Sequence, residues 1–123
     1  MDFEWDKNKA RENVRKHDGI TFEEASLVFF DEWALEKLDD AMSDISEKRF
    51  IIVGLSSTQL LRVTYTARET IRIISAEKAR PAEERAYNNN RNEYDKWKNH
   101  WSWDYGGRHQ KNEDKKWANH LKM

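Results

Sequence analysis

His17 is the only histidine in residues 1–87, and an imidazole exchanges protons near neutral pH. Around it the sequence distributes cations over several segments: Lys9 and Lys16 before it, then Arg49, Arg62, Arg68, Arg72, Lys78 and Arg85. Arg62 and Arg72 occupy alternating positions of β-rich stretches and so could share one face of a sheet. Arginines converging from adjacent strands form a cradle for a phosphate. Arg68 falls at the tip of a connection between two such stretches, where a side chain is expected to be free for a ligand. A proton-transfer group combined with guanidinium charge is what phosphate-ester chemistry requires. A simpler reading of His17 is a cap for the last carbonyls of a helix. A strand arginine, likewise, is commonly turned to solvent or paired with an acid.

The elements that would hold these side chains follow from local patterning. Phe3 and Trp5 alternate with Asp2, Glu4 and Asp6, which predicts a short strand. Asp6 can cap a helix over Lys7–His17 with Ala10 and Val14 on its buried side, and Asp18-Gly19 ends it. Thr21-x-x-Glu24 is a capping box opening a second helix that turns Phe22, Ala25, Val28 and Phe29 inward. A loop is expected next, with at most a helical turn around Ala34–Asp40. From Arg49 the period changes to two. Phe50–Leu55, a segment with Leu61, Val63 and Tyr65 on one face, and a segment with Ile71, Ile73 and Ser75 on one face predict three strands joined by short turns. Pro81 suits the first turn of a last helix, with Glu83 and Glu84 where the helix dipole favours acids. The order β-α-α-β-β-β-α is α+β: a small antiparallel meander with helices packed on one face.

A chain of 123 residues, 37% hydrophobic and 37% charged, fits one small domain with a thin core. Cysteine is absent, which excludes a disulfide framework and thiolate metal sites. His100, His109 and His120 lie too far apart to hold a metal, so no metal or other cofactor is expected. MDFEWDKNK has no apolar stretch of the kind that opens a signal peptide or crosses a membrane, and a soluble cytoplasmic protein is the expectation.

The net charge of −1 conceals an uneven distribution. Residues 31–47 carry seven acids against Lys37 alone, leaving the rest of residues 1–87 slightly basic. A general nucleic-acid binder would show a clear basic excess. Binding of a nucleic acid here would have to rest on a local cluster of cations. The acidic run reads either as a solvated loop or as a partner surface.

FEWD at residues 3–6, Lys9, Asn13, the Lys16-His17 pair, FEEA at 22–25, Arg49, IIVGLSS, LLRVTYTAR, IRIISAEKA, Arg85 and Tyr87 follow one another in order and spacing. The series resembles the BrnT family, the toxin half of bacterial type II toxin–antitoxin pairs. That resemblance implies a RelE-like fold and an endoribonuclease that cleaves RNA, inhibits translation and arrests growth. It implies a cognate BrnA-type antitoxin as partner, with operator DNA reached only through that antitoxin. Metal-independent cleavage of this kind uses the ribose 2′-hydroxyl as nucleophile, with cations beside the transition state. The expected catalytic residues are His17, Arg68, Lys78 and Arg85, and the expected RNA-binding residues are Lys9, Lys16, Arg49, Arg62 and Arg72.

The chain departs from the family pattern after the last strand. The family's usual SARKA is SAEKA here, with Glu77 in the arginine position, and Pro81, Ala82 and Glu84 thin a basic run. Glu77 reads either as a working carboxylate or as the mark of a weakened or inactive toxin that survives as an antitoxin-binding module. Residues 1–87 form the toxin-like domain, and residues 88–123 an aromatic and basic extension. Tyr87, Tyr94, Trp97 and Trp101 make one helical stripe, which Asn88-Asn89-Asn90 would either carry on or interrupt. With Trp103, Tyr105 and Trp117, these rings could stack on bases, anchor a partner or pack on the sheet.

Overall fold

The computed structural model describes residues 1–39 and 47–105, with side chains as far as Glu93. Strand β1 (Phe3–Glu4) leads into α1 (Lys7–Lys16) and α2 (Phe22–Ser26), which passes into a 3-10 turn over Leu27–Phe30. Strands β2 (Leu35–Leu38), β3 (Arg49–Leu55), β4 (Leu60–Ala67) and β5 (Ile71–Lys78) follow, then α3 (Pro81–Tyr105). The sheet order is β1-β5-β4-β3-β2.

Local signals set the helix boundaries as expected. The Asp6 carboxylate accepts from the backbone N–H of Asn8 and Lys9 at 2.7 and 3.1 Å, and these bonds hold its pKa below the usual aspartate range. Thr21 Oγ1 accepts from Glu24 N at 3.0 Å. Asp18 and Gly19 both adopt positive φ, 51° and 78°, and turn the chain out of α1. Pro81 occupies the first helical position of α3, and Glu83 reaches back to accept from Arg80 N at 2.9 Å.

Four features differ from the sequence reading. Residues Leu35–Leu38, placed in a loop or helical turn, form a strand whose Leu35 is buried opposite Val53. The meander therefore has four antiparallel strands, and β1 adds a parallel pair at its edge, Phe3 beside Ile71 and Glu4 beside Arg72. A bulge follows Thr64–Ser75, after which Tyr65 pairs with Ile73. The extra residue shifts the alternation of β5, so Ile73 and Ala76 both reach the core while Ser75 leaves the face of Ile71 and Ile73.

The fourth difference is the placement of the helices. Ile52, Leu61, Val63, Tyr65, Ile73 and Ala76 pack against Ile20, Phe22, Ala25 and Val28 from the α1–α2 layer. Ile51 and Val53, on the other face of β3, pack with Leu35 and with Tyr87 of α3. Helices thus lie on both faces. The apolar inward residues of α2 were legible, but in α1 the buried position is Asn13, while Val14 is exposed. The Asn13 amide donates to the carbonyls of Ile20 (3.0 Å) and Ala76 (2.8 Å) and accepts from Ala76 N (3.0 Å). It pairs both backbone groups of Ala76 as a neighbouring strand would. Helix α3 runs unbroken through Asn88–Asn90, with Asn90 buried and donating to the Trp33 carbonyl at 3.1 Å. Trp97, Trp101, Trp103, Tyr105, Trp117 and the three C-terminal histidines lie outside the described side chains.

Candidate active site

Residues directly opposite in a ladder project to the same face. Glu4 on β1 is opposite Arg72 on β5, Arg72 is opposite Thr66 on β4, and Thr66 is opposite Arg49 on β3. One row across four strands therefore reads Glu4, Arg72, Thr66, Arg49, on the face away from α1 and α2. Arg68 stands two residues beyond Thr66, in the β4–β5 connection closed by Arg68 N donating to the Thr70 carbonyl at 3.0 Å. Three arginines from three elements meet at this end of the sheet.

Carboxylates hold them. Arg72 Nη1 donates to Glu4 Oε1 at 2.7 Å, and Thr70 Oγ1 donates to the other oxygen of Glu4. The Thr70 bond first and the Arg72 bond second hold the Glu4 carboxyl below the usual glutamate range. Arg68 Nη2 donates to Glu47 Oε2 at 2.8 Å, and Arg49 Nε lies 4.0 Å from Glu47 Oε1. Arg68 is thus paired, where the sequence suggested a free side chain. Arg68 is exposed and Glu47 half-buried, and pairs this open to solvent contribute only about 0–1 kcal/mol, so an incoming anion can compete with the carboxylate for Arg68 at little cost.

The remaining candidates lie elsewhere. His17 closes α1: its backbone N–H donates to the Asn13 carbonyl at 2.8 Å and its carbonyl accepts from Ile20 N at 3.0 Å. Lys78 ends β5, 3.7 Å from Asp18 beside His17, on the face of α1 and α2 since it pairs with core residue Leu61. The six residues from Arg72 to Lys78 separate the two groups by roughly 20 Å. Lys9 and Lys16 are exposed on α1, with Lys16 3.6 Å from Glu12. Arg85 is exposed on α3. Arg62 does share the face of Arg72, as expected, but it is only 12% exposed and clasps Glu83 of α3 at 2.7 Å. Glu77 lies opposite Arg62 on the same face.

The acidic stretch is partly structural. Asp31 accepts from Trp33 N (2.9 Å), Leu55 N (2.7 Å) and the Tyr87 hydroxyl (2.7 Å). Glu36 accepts from the Tyr65 hydroxyl, and residues 40–46 lie outside the described residues. The sequence reading missed Glu4, Glu47 and Thr66 as members of the arginine face. Thr64 and Thr66 alternating with Val63 and Tyr65 were the available signal: they mark the polar face of β4.

No helix among the described residues is long and apolar enough to cross a membrane. Comparison with curated proteins and with solved structures gives no match. A family model does match, over residues 5–83, well over half of the chain; its description is the ribonuclease toxin BrnT of type II toxin–antitoxin systems.

Proposed function

The chain belongs to the BrnT family of ribonuclease toxins of type II toxin–antitoxin systems, and on that premise we propose that it is an endoribonuclease whose active face is the arginine end of the sheet. The observation that carries the reading is the convergence of Arg49, Arg68 and Arg72, two of them on the single carboxylate Glu47. In this reading the ribose 2′-hydroxyl attacks the adjacent phosphorus as the P–O5′ bond breaks, and with net transfer of its proton to the leaving 5′-oxygen the products are a 2′,3′-cyclic phosphate and a 5′-hydroxyl. Guanidinium groups neutralise the charge that gathers on the phosphate in the transition state, and no metal ion is required. His17 and Lys78, roughly 20 Å away on the opposite face, take no part in the chemistry. The α+β core serves as a RelE-like scaffold. RNA cleavage blocks translation in the cytoplasm, a BrnA-type antitoxin neutralises the toxin, and operator DNA is reached only through that antitoxin.

Purified chain incubated with RNA in the presence of EDTA tests the reading, alongside induction of the chain alone in a bacterium. Cleavage and growth arrest are expected, and Arg68→Ala should lower cleavage by a factor of about 10²–10³ with the melting temperature nearly unchanged. An intact RNA substrate and unimpeded growth would remove the enzymatic reading and leave an antitoxin-binding module.

A further inference from the structure

Thr66 is the one member of the arginine row without charge. It is 1% exposed, and its Oγ1 has no hydrogen-bond partner among the described residues. Such a hydroxyl is normally satisfied by a carbonyl, a side chain or an ordered water, because an unpaired buried polar group carries a desolvation penalty. Valine has nearly the same shape and carries no such penalty, so packing gives no reason for a hydroxyl at this point in β4. Its surroundings do. Arg49 lies directly opposite on one neighbouring strand and Arg72 directly opposite on the other. Adjacent strands are about 4.8 Å apart, so the two arginine Cα atoms stand roughly 10 Å apart with the threonine midway. Two guanidinium groups on flexible stems can close on one tetrahedral oxyanion from either side over that span. The neutral donor beneath them is then placed to reach an oxygen that neither fork covers.

We propose that the Thr66 hydroxyl is the third donor of an oxyanion site formed with Arg49 and Arg72, and that it binds a non-bridging oxygen of the RNA phosphate. The identification of the anion rests on the ribonuclease reading; the oxyanion site itself does not. In the resting chain Glu4 and Glu47 hold the two arginines. An arriving phosphate takes the place of those carboxylates, and the hydroxyl gains the partner it lacks.

The test pairs Thr66→Val with Thr66→Ser and reads three quantities: melting temperature, RNA cleavage, and amide shifts of Arg49, Thr66 and Arg72 on titration with inorganic phosphate. Thr66→Val should melt at or above the parent temperature, lose at least tenfold in cleavage and lose the phosphate-induced shifts. Thr66→Ser, which keeps the hydroxyl, should retain cleavage within about threefold even where its stability falls. Phosphate-induced shifts in the parent chain without RNA cleavage would overturn the ribonuclease reading while leaving the oxyanion site standing. Equal cleavage and equal phosphate shifts in the parent chain and Thr66→Val would overturn the proposal, as would loss of function in Thr66→Ser equal to that in Thr66→Val.

Discussion

Arg62 on β4 and Glu83 on α3 clasp each other at 2.7 Å, with side chains only 12% and 7% exposed. This pair fixes the start of α3 against the sheet, because the other Glu83 oxygen accepts from Arg80 N at the helix entrance. Removing one partner leaves a buried charge with too little compensation, which costs about 3–5 kcal/mol. Glu83→Ala is expected to lose that much stability in denaturant unfolding. Arg62→Met combined with Glu83→Leu should come back to within about 1 kcal/mol of the parent chain. A loss under 1 kcal/mol in the single variant would show that Glu77, opposite Arg62, suffices as its partner.

Gly54 is required by space. A Cβ there would lie 2.8 Å from Val28 Cγ1, 3.1 Å from Ala34 Cβ and 3.2 Å from Asp31 Oδ2. Gly54→Ala should therefore separate the 3-10 turn from β3 and weaken the bonds from Leu55 N and the Tyr87 hydroxyl to Asp31. The expected loss is about 1–3 kcal/mol, read as a fall in melting temperature. An unchanged melting temperature would mean that the turn yields freely.

Much of this was written locally. Asp6, Thr21 and Pro81 each sit at a helix start because a nearby backbone or φ requirement selects them, so those boundaries could be read from single residues. The strands β3, β4 and β5 alternate strongly enough to declare themselves. Leu35–Leu38 did not, because four residues inside an acidic run carry little periodic signal, and only pairing with β3 makes them a strand. The bulge near Ile74 and the placement of α3 on the second face also depend on partners far away in sequence. The same division holds for the site. That Arg62 and Arg72 share a face was legible; that Glu4 holds one and Glu83 the other was not, since those contacts span 68 and 21 residues.

His17 separates two readings of the cleavage site. Asparagine is tolerated at helix C-termini, and the capping contacts of His17 run through its backbone. His17→Asn should keep RNA cleavage within about threefold of the parent chain. A drop of a hundredfold with unchanged folding would move the chemistry to the His17–Lys78 end of the sheet.

Tyr65 and Tyr87 govern the alkaline limit. Burial, then the hydrogen bonds to Glu36 and Asp31 respectively, push both phenols well above their usual range. A group whose pKa is raised on folding contributes stability that is fully present below its unfolded value, about 10 for tyrosine, and is lost as pH rises through the folded value. Stability should thus decline above about pH 10, with unfolding preceding ionisation of these two rings. Absorbance titration near 295 nm should show the same amplitude around pH 10 in Tyr87→Phe and Tyr65→Phe as in the parent chain. A smaller amplitude in either variant would show that the missing ring had been ionising at its ordinary value.

The parallel pairing of β1 with β5 has a consequence for the order of events during synthesis. Arg72 is made 68 residues after Glu4. At about 5–20 residues per second, roughly 3–14 seconds pass before that contact can close. Until then the edge of the sheet is unfinished and the arginine row has no outer wall. Neither Glu4 nor Arg72 can take its paired place in the row before then, by topology alone. Ribosome-stalled chains ending before Arg72 should show unprotected amides at Phe3 and Glu4, and protection there would mean that the first strand finds a different partner while it waits.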